Sequence, residues 1–302
     1  MCITCGCSDS TNVRLTDLEK GGTTPININD HTHEHSHEHH GHSHEHHGHS
    51  HEHHGHSHEH HGHSREDLGE TNSTNTITLE RQILEKNNSI AASNRDWLAN
   101  KNILAVNLVS SPGSGKTTLL ERTIRDLSSE LQFSVIEGDQ ETVNDAERIR
   151  STGCRVVQIN TGAGCHLEAD MVIKGIHSLD PAPNSVIMIE NVGNLVCPAL
   201  FDLGEKCKVA ILSVTEGEDK PAKYPHMFKA ASIMLLNKID LLPYLEFDVA
   251  KCIEYAKTVN PDIKVIPVSA VSGEGLDIWF AWIKSNIDGY SEARKVASLH
   301  DS

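Results

Sequence analysis

One stretch limits the possible folds more than any other. SSPGSGKTT (110–118) lies between an apolar run, ILAVNLVS (103–110), and a helix-patterned segment that starts near Lys116. Gly113 and Gly115 allow a tight turn whose backbone N–H groups, with those of Ser114 and Thr118, would face a phosphate. Lys116 would reach the β/γ-phosphates and the Thr117 hydroxyl would ligate Mg²⁺. The strict pattern opens on Gly, and this chain has Ser110 there. Strand–loop–helix context still makes the segment a phosphate-binding loop, and such a loop belongs in an α/β sheet.

The remaining apolar runs agree with that sheet. FSVIEG (133–138), CRVVQIN (154–160), SVIMIE (185–190), KVAILSV (208–214), ASIMLLN (231–237) and IKVIPVS (263–269) alternate with helical patterns. That order predicts a mainly parallel, Rossmann-like sheet flanked by helices, with ligands at the carboxyl ends of the strands. Ahead of it, ITLERQILEKNNSIAASNRDWLAN (77–100) reads as a helix with Ile83, Ile90, Trp97 and Leu98 inward.

Base choice is written at NKID (237–240), at the end of a strand. The Asp240 carboxylate can accept from guanine N1–H and the exocyclic amine together, whereas adenine offers no such donor pair. Asn237 and Lys238 complete the motif, and backbone at Ser269 and Ala270 in SAVSGEG would reach guanine O6. Two acids end other strands. Asp139 and Glu190 are candidate Mg²⁺ or water-orienting residues, with Lys116 the candidate catalytic cation. A helix cap or a solvated loop acid is the plainer alternative for both acids. Gly193, three residues after Glu190, suits a loop that senses the γ-phosphate.

The front of the chain cannot form a core. Within 10–76, HEHHGHS is written four times over 37–64, and all but His166, His177, His226 and His300 of the 23 histidines fall between His31 and His63. This composition does not offset ordering entropy, so disorder is predicted across 10–76. Neutral imidazoles there would bind several Ni²⁺, Cu²⁺ or Zn²⁺ ions with little selectivity. A merely solubilising spacer is the alternative.

Residues 1–9 form a Cys-rich head. In MCITCGC, the Cys2, Cys5 and Cys7 thiolates, with the Cys2 α-amine if Met1 is removed, make an N/S set for square-planar Ni²⁺. A Cys2–Cys5 redox pair is the competing reading. Cys165 and His166 in TGAGCHL and Cys197 in NVGNLVCP follow two strand ends, and together offer Cys₂His to Ni²⁺ or Zn²⁺. Cys154, Cys207, Cys252, His177 and His226 are read as packing or surface residues. Leu241 and Leu245 are either a contact ridge or core.

The net charge is −16 and no Lys/Arg run occurs. That argues against nucleic acid and anionic membranes. No apolar stretch reaches membrane-spanning length, and no secretory pattern opens the chain, so a cytoplasmic protein with thiols rather than disulfides is expected.

SSPGSGKTT, Cys165–His166, ENVGNLVCP, NKIDLLPYLEFD and the MCxxCGC head together resemble the HypB family of nickel-insertion GTPases, from the leading helix to about residue 290. The resemblance implies a GTPase domain over 77–290, a tail over 291–302, a homodimer and slow conversion of GTP to GDP. It implies tight nickel binding by the head and nickel or zinc at Cys165/His166/Cys197. It also implies a HypA-type maturation protein, a SlyD-type chaperone and a [NiFe]-hydrogenase large-subunit precursor as partners. The urease GTPase, UreG, is the sibling reading. That family carries Cys-Pro-His in the metal segment, whereas Cys197-Pro198 is followed here by Ala199. A nickel storage protein with a vestigial GTPase is a third reading.

Overall fold

The computed structural model describes residues 13–26, 70–140 and 144–287. The head cysteines Cys2, Cys5 and Cys7, the His tract and the 291–302 tail lie outside the described residues.

The described strands are β1 (Arg14–Asp17), β2 (Gly22–Pro25), β3 (Leu104–Ser110), β4 (Phe133–Asp139), β5 (Arg155–Asn160), β6 (Val186–Glu190), β7 (Cys207–Ser213), β8 (Ala231–Asn237) and β9 (Lys264–Pro267). The principal helices are α1 (Glu70–Asn100), α2 (Lys116–Leu127), α3 (Asn144–Arg150), α4 (Ala169–Leu179), α5 (Cys197–Leu200), α6 (Lys220–Lys223), α7 (Pro225–Ala230), α8 (Val249–Val259) and a last one, α9, over 276–287. One sheet runs β2-β1-β5-β4-β6-β3-β7-β8-β9. Pairings from β5 through β9 are parallel; only the β1 contacts are antiparallel. All seven apolar runs are strands, as read.

Period-two alternation sends strand residues to two faces. Leu104, Val106 and Leu108 join Leu120 and Ile124 of α2 and Trp279 of α9 on one face. Ala105, Ile136 and Ile187 meet Met171 and Ile176 of α4 and Leu98 of α1 on the other. Trp279 is 1% exposed, and its indole N–H donates to Thr123 Oγ1 at 3.0 Å. The phosphate-loop strand β3 is central, between β6 and β7. The carboxyl ends of the parallel strands therefore converge around it.

Two expectations are corrected. Disorder over 10–76 does not extend to 13–26. There β1 and β2 form a hairpin added to the β5 edge, with Val13, Leu15 and Ile26 buried among Val157 and Ile159. Four alternating residues are too short a signal against that polar background. The leading helix also turns a different face inward. Its buried positions are Asn87, Ala91, Asn94 and Leu98, while Ile83, Ile90 and Trp97 are half-exposed. The amides explain this. Asn94 Nδ2 donates to the Ala169 and Leu203 carbonyls, and Asn87 donates to the Asp202 carbonyl and accepts from Ala169 N–H. Gly204 (φ 89°) lets α1 approach, since a Cβ there would lie 2.5 Å from Asn94 Cβ. Buried amides with partners on both sides cost little to bury, and they fix the helix where apolar periodicity alone would rotate it.

Candidate functional site

At the end of β3 the chain turns through Gly113 (φ 76°) and Gly115 (φ 90°), both left-handed, and enters α2. Ser110 is the last residue of β3 and is buried, so its lack of glycine freedom is no obstacle. Two further strands hold the loop. From β8, Asn237 Nδ2 donates to the Ser114 carbonyl at 3.0 Å and Lys238 Nζ to the Gly113 carbonyl at 2.6 Å. A Cβ on Gly115 would sit 2.7 Å from Asn237 Nδ2, so the second glycine is fixed by contact as well as by φ. From β6, Glu190 Oε1 accepts from Lys116 Nζ at 2.8 Å and from Thr117 Oγ1 at 2.7 Å. Thr118 Oγ1 accepts from Arg148 of α3 at 3.3 Å, a neighbour no motif signalled.

The acids have a third member that the motif reading missed. Glu137 faces its Cα partner Glu190 across β4 and β6, on the α2 side of the sheet. Both side chains are buried, and Glu137 Oε2 and Glu190 Oε2 have no hydrogen-bond partner. Burial, reinforced by Glu190 and Asp139, pushes the Glu137 carboxyl up to about 9. A carboxylate inside an otherwise apolar strand was the available signal. The cost has a definite sign. Between its ordinary value of 4.5 and about 9, unfolding releases a proton that the folded chain retains, so stability falls as pH rises. Glu137→Gln is therefore expected to leave stability unchanged near pH 4. It should raise it progressively above that, by roughly 1 kcal/mol per pH unit. Urea unfolding of the nucleotide-free protein at several pH values reads this directly. A pH-independent difference would contradict it.

At the NKID end, Ser269 Oγ donates to Asp240 Oδ1 at 2.6 Å and so braces the carboxylate. The loop departs from expectation in one respect. The Ser269 N–H is engaged by the Glu274 carbonyl and the Ala270 N–H by Asn237 Oδ1, so in this arrangement both amides serve the loop itself. Leu241 and Leu245 divide. Ile239–Tyr244 is a 3₁₀ turn in which Leu241 packs on the buried cluster of Leu212, Phe228, Met234 and Leu236, while Leu245 and Tyr244 are exposed.

The ends of β5 and β6 bring Cys165, His166 and Cys197 together, with their ligand atoms all within 4.8 Å of one another. Cys165 Sγ is 3.6 Å from His166 Nδ1. His166 lies 3.9 Å, centroid to centroid, from the Phe201 ring, and its buried Nε2 has no hydrogen-bond partner. Burial pulls the imidazole down to about 4, which keeps it neutral and able to act as a metal ligand. A neutral buried imidazole whose ligand atom lies within 4.8 Å of two thiol sulfurs fits a soft or borderline cation. For Cys154, Cys207 and Cys252, burial raises each thiol to about 12, as for inert packing thiols.

The two halves of the site touch. A Cβ on Gly193 would lie 3.2 Å from the phosphate-loop Pro112. One residue further on, Asn194 Nδ2 donates to the Cys165 carbonyl at 3.3 Å. Asn191, next to Glu190, accepts from Leu167 N–H at 3.3 Å. Both asparagines lie within ENVGNLVCP, but only the fold assigns them this bridging position.

Comparison with known proteins decides the lineage. The family model "CobW/HypB/UreG, nucleotide-binding domain" matches residues 104–267. The hydrogenase maturation factor HypB of Escherichia coli K12 is 60% identical over 209 residues, covering 69% of this chain and 72% of that protein. The chain belongs to the HypB family. A second HypB, from Helicobacter pylori, carries the name hydrogenase/urease maturation factor and is 36% identical over 211 residues, covering 68% of this chain and 86% of its own length. The crystal structure of HypB from Helicobacter pylori in complex with nickel superposes with a TM-score of 0.63 at 34% identity, over 68% of this chain and 97% of that one. The HypB fold is thus a P-loop nucleotide-binding sheet, and among the described residues no helix is long and apolar enough to cross a membrane.

Proposed function

We propose that this chain is a GTP-hydrolysing nickel metallochaperone that stores nickel and hands it on, in a nucleotide-dependent way, during [NiFe]-hydrogenase maturation. The observation that carries the reading is the pair of asparagine bridges. They tie the ENVG segment, which touches the phosphate loop, to the loop bearing Cys165 and His166.

In this reading Gly113, Ser114, Gly115, Lys116, Thr117 and Thr118 hold the phosphates, and Asn237, Lys238 and Asp240 hold the base. Thr117, Asp139 and Glu190 would hold Mg²⁺, which would neutralise phosphate charge when bound. Glu190 Oε2, buried without a partner, suits a cation there. Lys116 stabilises charge on the transferring phosphoryl group, so catalysis is mostly positioning. Nickel is cargo, received by Cys165, His166 and Cys197. The expected companions are a second copy, a HypA-type protein, a SlyD-type chaperone and the hydrogenase large-subunit precursor. The urease-type client stays as the second reading, because a relative carries that name as well.

If the ENVG segment shifts when the γ-phosphate leaves, Cys197 and the Cys165 carbonyl shift with it, and metal affinity changes. Titration of Ni²⁺ into the GDP and GTP-analogue forms is expected to give affinities that differ by roughly 5–150-fold. Linkage requires nickel to change the affinity for GTP relative to GDP by the same factor. Equal nickel affinities in the two forms would overturn the coupling.

A further inference from the structure

We infer that Glu205 and Asn107 are positioning residues for the metal loop. Together they dictate which end of the Asn191 amide meets Leu167 N–H, and so hold the loop bearing Cys165 and His166 against the ENVG segment. Their role rests on the reading of that loop as a nickel site linked to the nucleotide, and it supplies the side chains that maintain the link.

A buried line of hydrogen bonds joins these residues, and it has a polarity. Glu205 Oε1 accepts from Lys208 Nζ at 2.8 Å and from Asn107 Nδ2 at 3.1 Å. A carboxylate paired with a lysine has no proton to donate. It therefore turns the Asn107 amide so that Oδ1 points the other way, where it accepts from Asn191 Nδ2 at 3.2 Å. That leaves Asn191 Oδ1 facing Leu167 N–H at 3.3 Å and Val192 N–H at 3.0 Å. The far end agrees. Two backbone N–H groups need an acceptor there, and only this orientation of both amides supplies one.

The line closes into a ring. Glu205 Oε2 accepts from Leu203 N–H at 2.7 Å, and the Leu203 carbonyl accepts from Asn94 of α1. The same Asn94 amide donates to the Ala169 carbonyl, and Asn87 accepts from Ala169 N–H. The metal loop is thus held at Leu167 from one side and at Ala169 from the other, and Glu205 joins the two clamps.

Packing alone does not call for this arrangement. Asn107 is 0% exposed in β3, a strand buried at every position, and lies opposite Ile189 of β6 and Lys208 of β7. Apolar residues of similar volume at 107, 205 and 208 would be at least as stable, since a buried ion pair seldom gains on a hydrophobic replacement. What a fully partnered polar ring adds is a single geometry. Here the geometry is that of Asn191, beside Glu190, and it is tied to the strand that ends in the phosphate loop. Without Asn107 the Asn191 amide has no dictated orientation. Flipped, it would set Nδ2 against Leu167 N–H, donor to donor, and the ENVG segment would move without taking the metal loop with it.

The test compares the full chain with Asn107→Leu and with the swap Asn107→Asp/Glu205→Gln. In the swap the new amide donates to the new carboxylate, which still accepts from Asn191, so the direction of the line is kept. Amide hydrogen exchange followed by NMR should show Leu167 N–H exchanging about 10-fold faster in Asn107→Leu, the loss of roughly one net hydrogen bond. The swap should return it to the wild-type rate. Val268 N–H, which donates to the Leu236 carbonyl at 2.8 Å in the β8–β9 half of the sheet, should not change and reports an intact fold. The ratio of Ni²⁺ affinities between the GDP and GTP-analogue forms should fall to within about 2-fold of unity in Asn107→Leu and recover in the swap. Glu205→Met/Lys208→Met, which removes the ion pair as a unit, should behave as Asn107→Leu does and decides the matter if that variant fails to fold. Wild-type Leu167 exchange or a wild-type affinity ratio in these variants would overturn the inference, as would a swap that restores neither. Equal Ni²⁺ affinities in the two forms of the wild type would instead defeat the nucleotide–metal reading, while Leu167 exchange would still decide whether this ring holds the loop.

Discussion

Lys116→Ala is expected to lower GTP turnover by at least about 10²–10³-fold, the usual effect of removing one preorganised donor from a developing oxyanion. The geometry predicts a second consequence. Lys116 Nζ is 2.8 Å from Glu190 Oε1, and Glu190 is 1% exposed with Glu137 as its strand neighbour. Removing the cation leaves a buried carboxylate without its counter-charge. Such a loss costs roughly 3–5 kcal/mol unless the acid takes up a proton. The variant should therefore also unfold at lower urea. Lys116→Ala combined with Glu190→Gln should recover most of that stability and none of the turnover. This separates the structural from the catalytic part. Wild-type turnover in Lys116→Ala would defeat the assignment.

Asp240→Asn should weaken GTP by about 10²–10³-fold, combining a lost charge-assisted bond with a donor placed opposite the guanine amine. The same amide matches xanthine, which has a carbonyl where guanine has its amine. Xanthosine triphosphate should therefore bind the variant better than GTP does. Ser269 Oγ, which donates to Asp240 Oδ1 at 2.6 Å, can still donate to the Asn oxygen, so the loop should keep its shape. Competition binding with both nucleotides reads the switch. Unchanged preference for GTP would show that the base is held elsewhere.

The parts legible in the sequence share one property: their chemistry is local. Gly113 and Gly115 allow a left-handed turn whatever surrounds them, and Lys116 and Thr117 open α2 because of that turn. The seven apolar runs could be read as strands because both faces of each are covered, which leaves little polar interruption. The order of those runs also brought Cys165–His166 and Cys197 to strand ends, where a shared site was already arguable.

What escaped the reading depends on contacts between distant segments. Asn87 and Asn94 look like solvent residues on a helical wheel; they are buried because Asp202, Leu203 and Ala169 offer partners. Glu137 reads as an ordinary strand acid until β6 places Glu190 beside it. The sequence alone determined a phosphate loop, a guanine-type base motif, a Cys/His donor set and a His-rich appendage, since each is fixed by residue type at short range. Only the tertiary structure decided which loops touch. Asn191 and Asn194 join the ENVG segment to the loop bearing Cys165 and His166. The hairpin opens toward Cys165 rather than away from it because its register is set by pairing with β5, more than a hundred residues further along the chain.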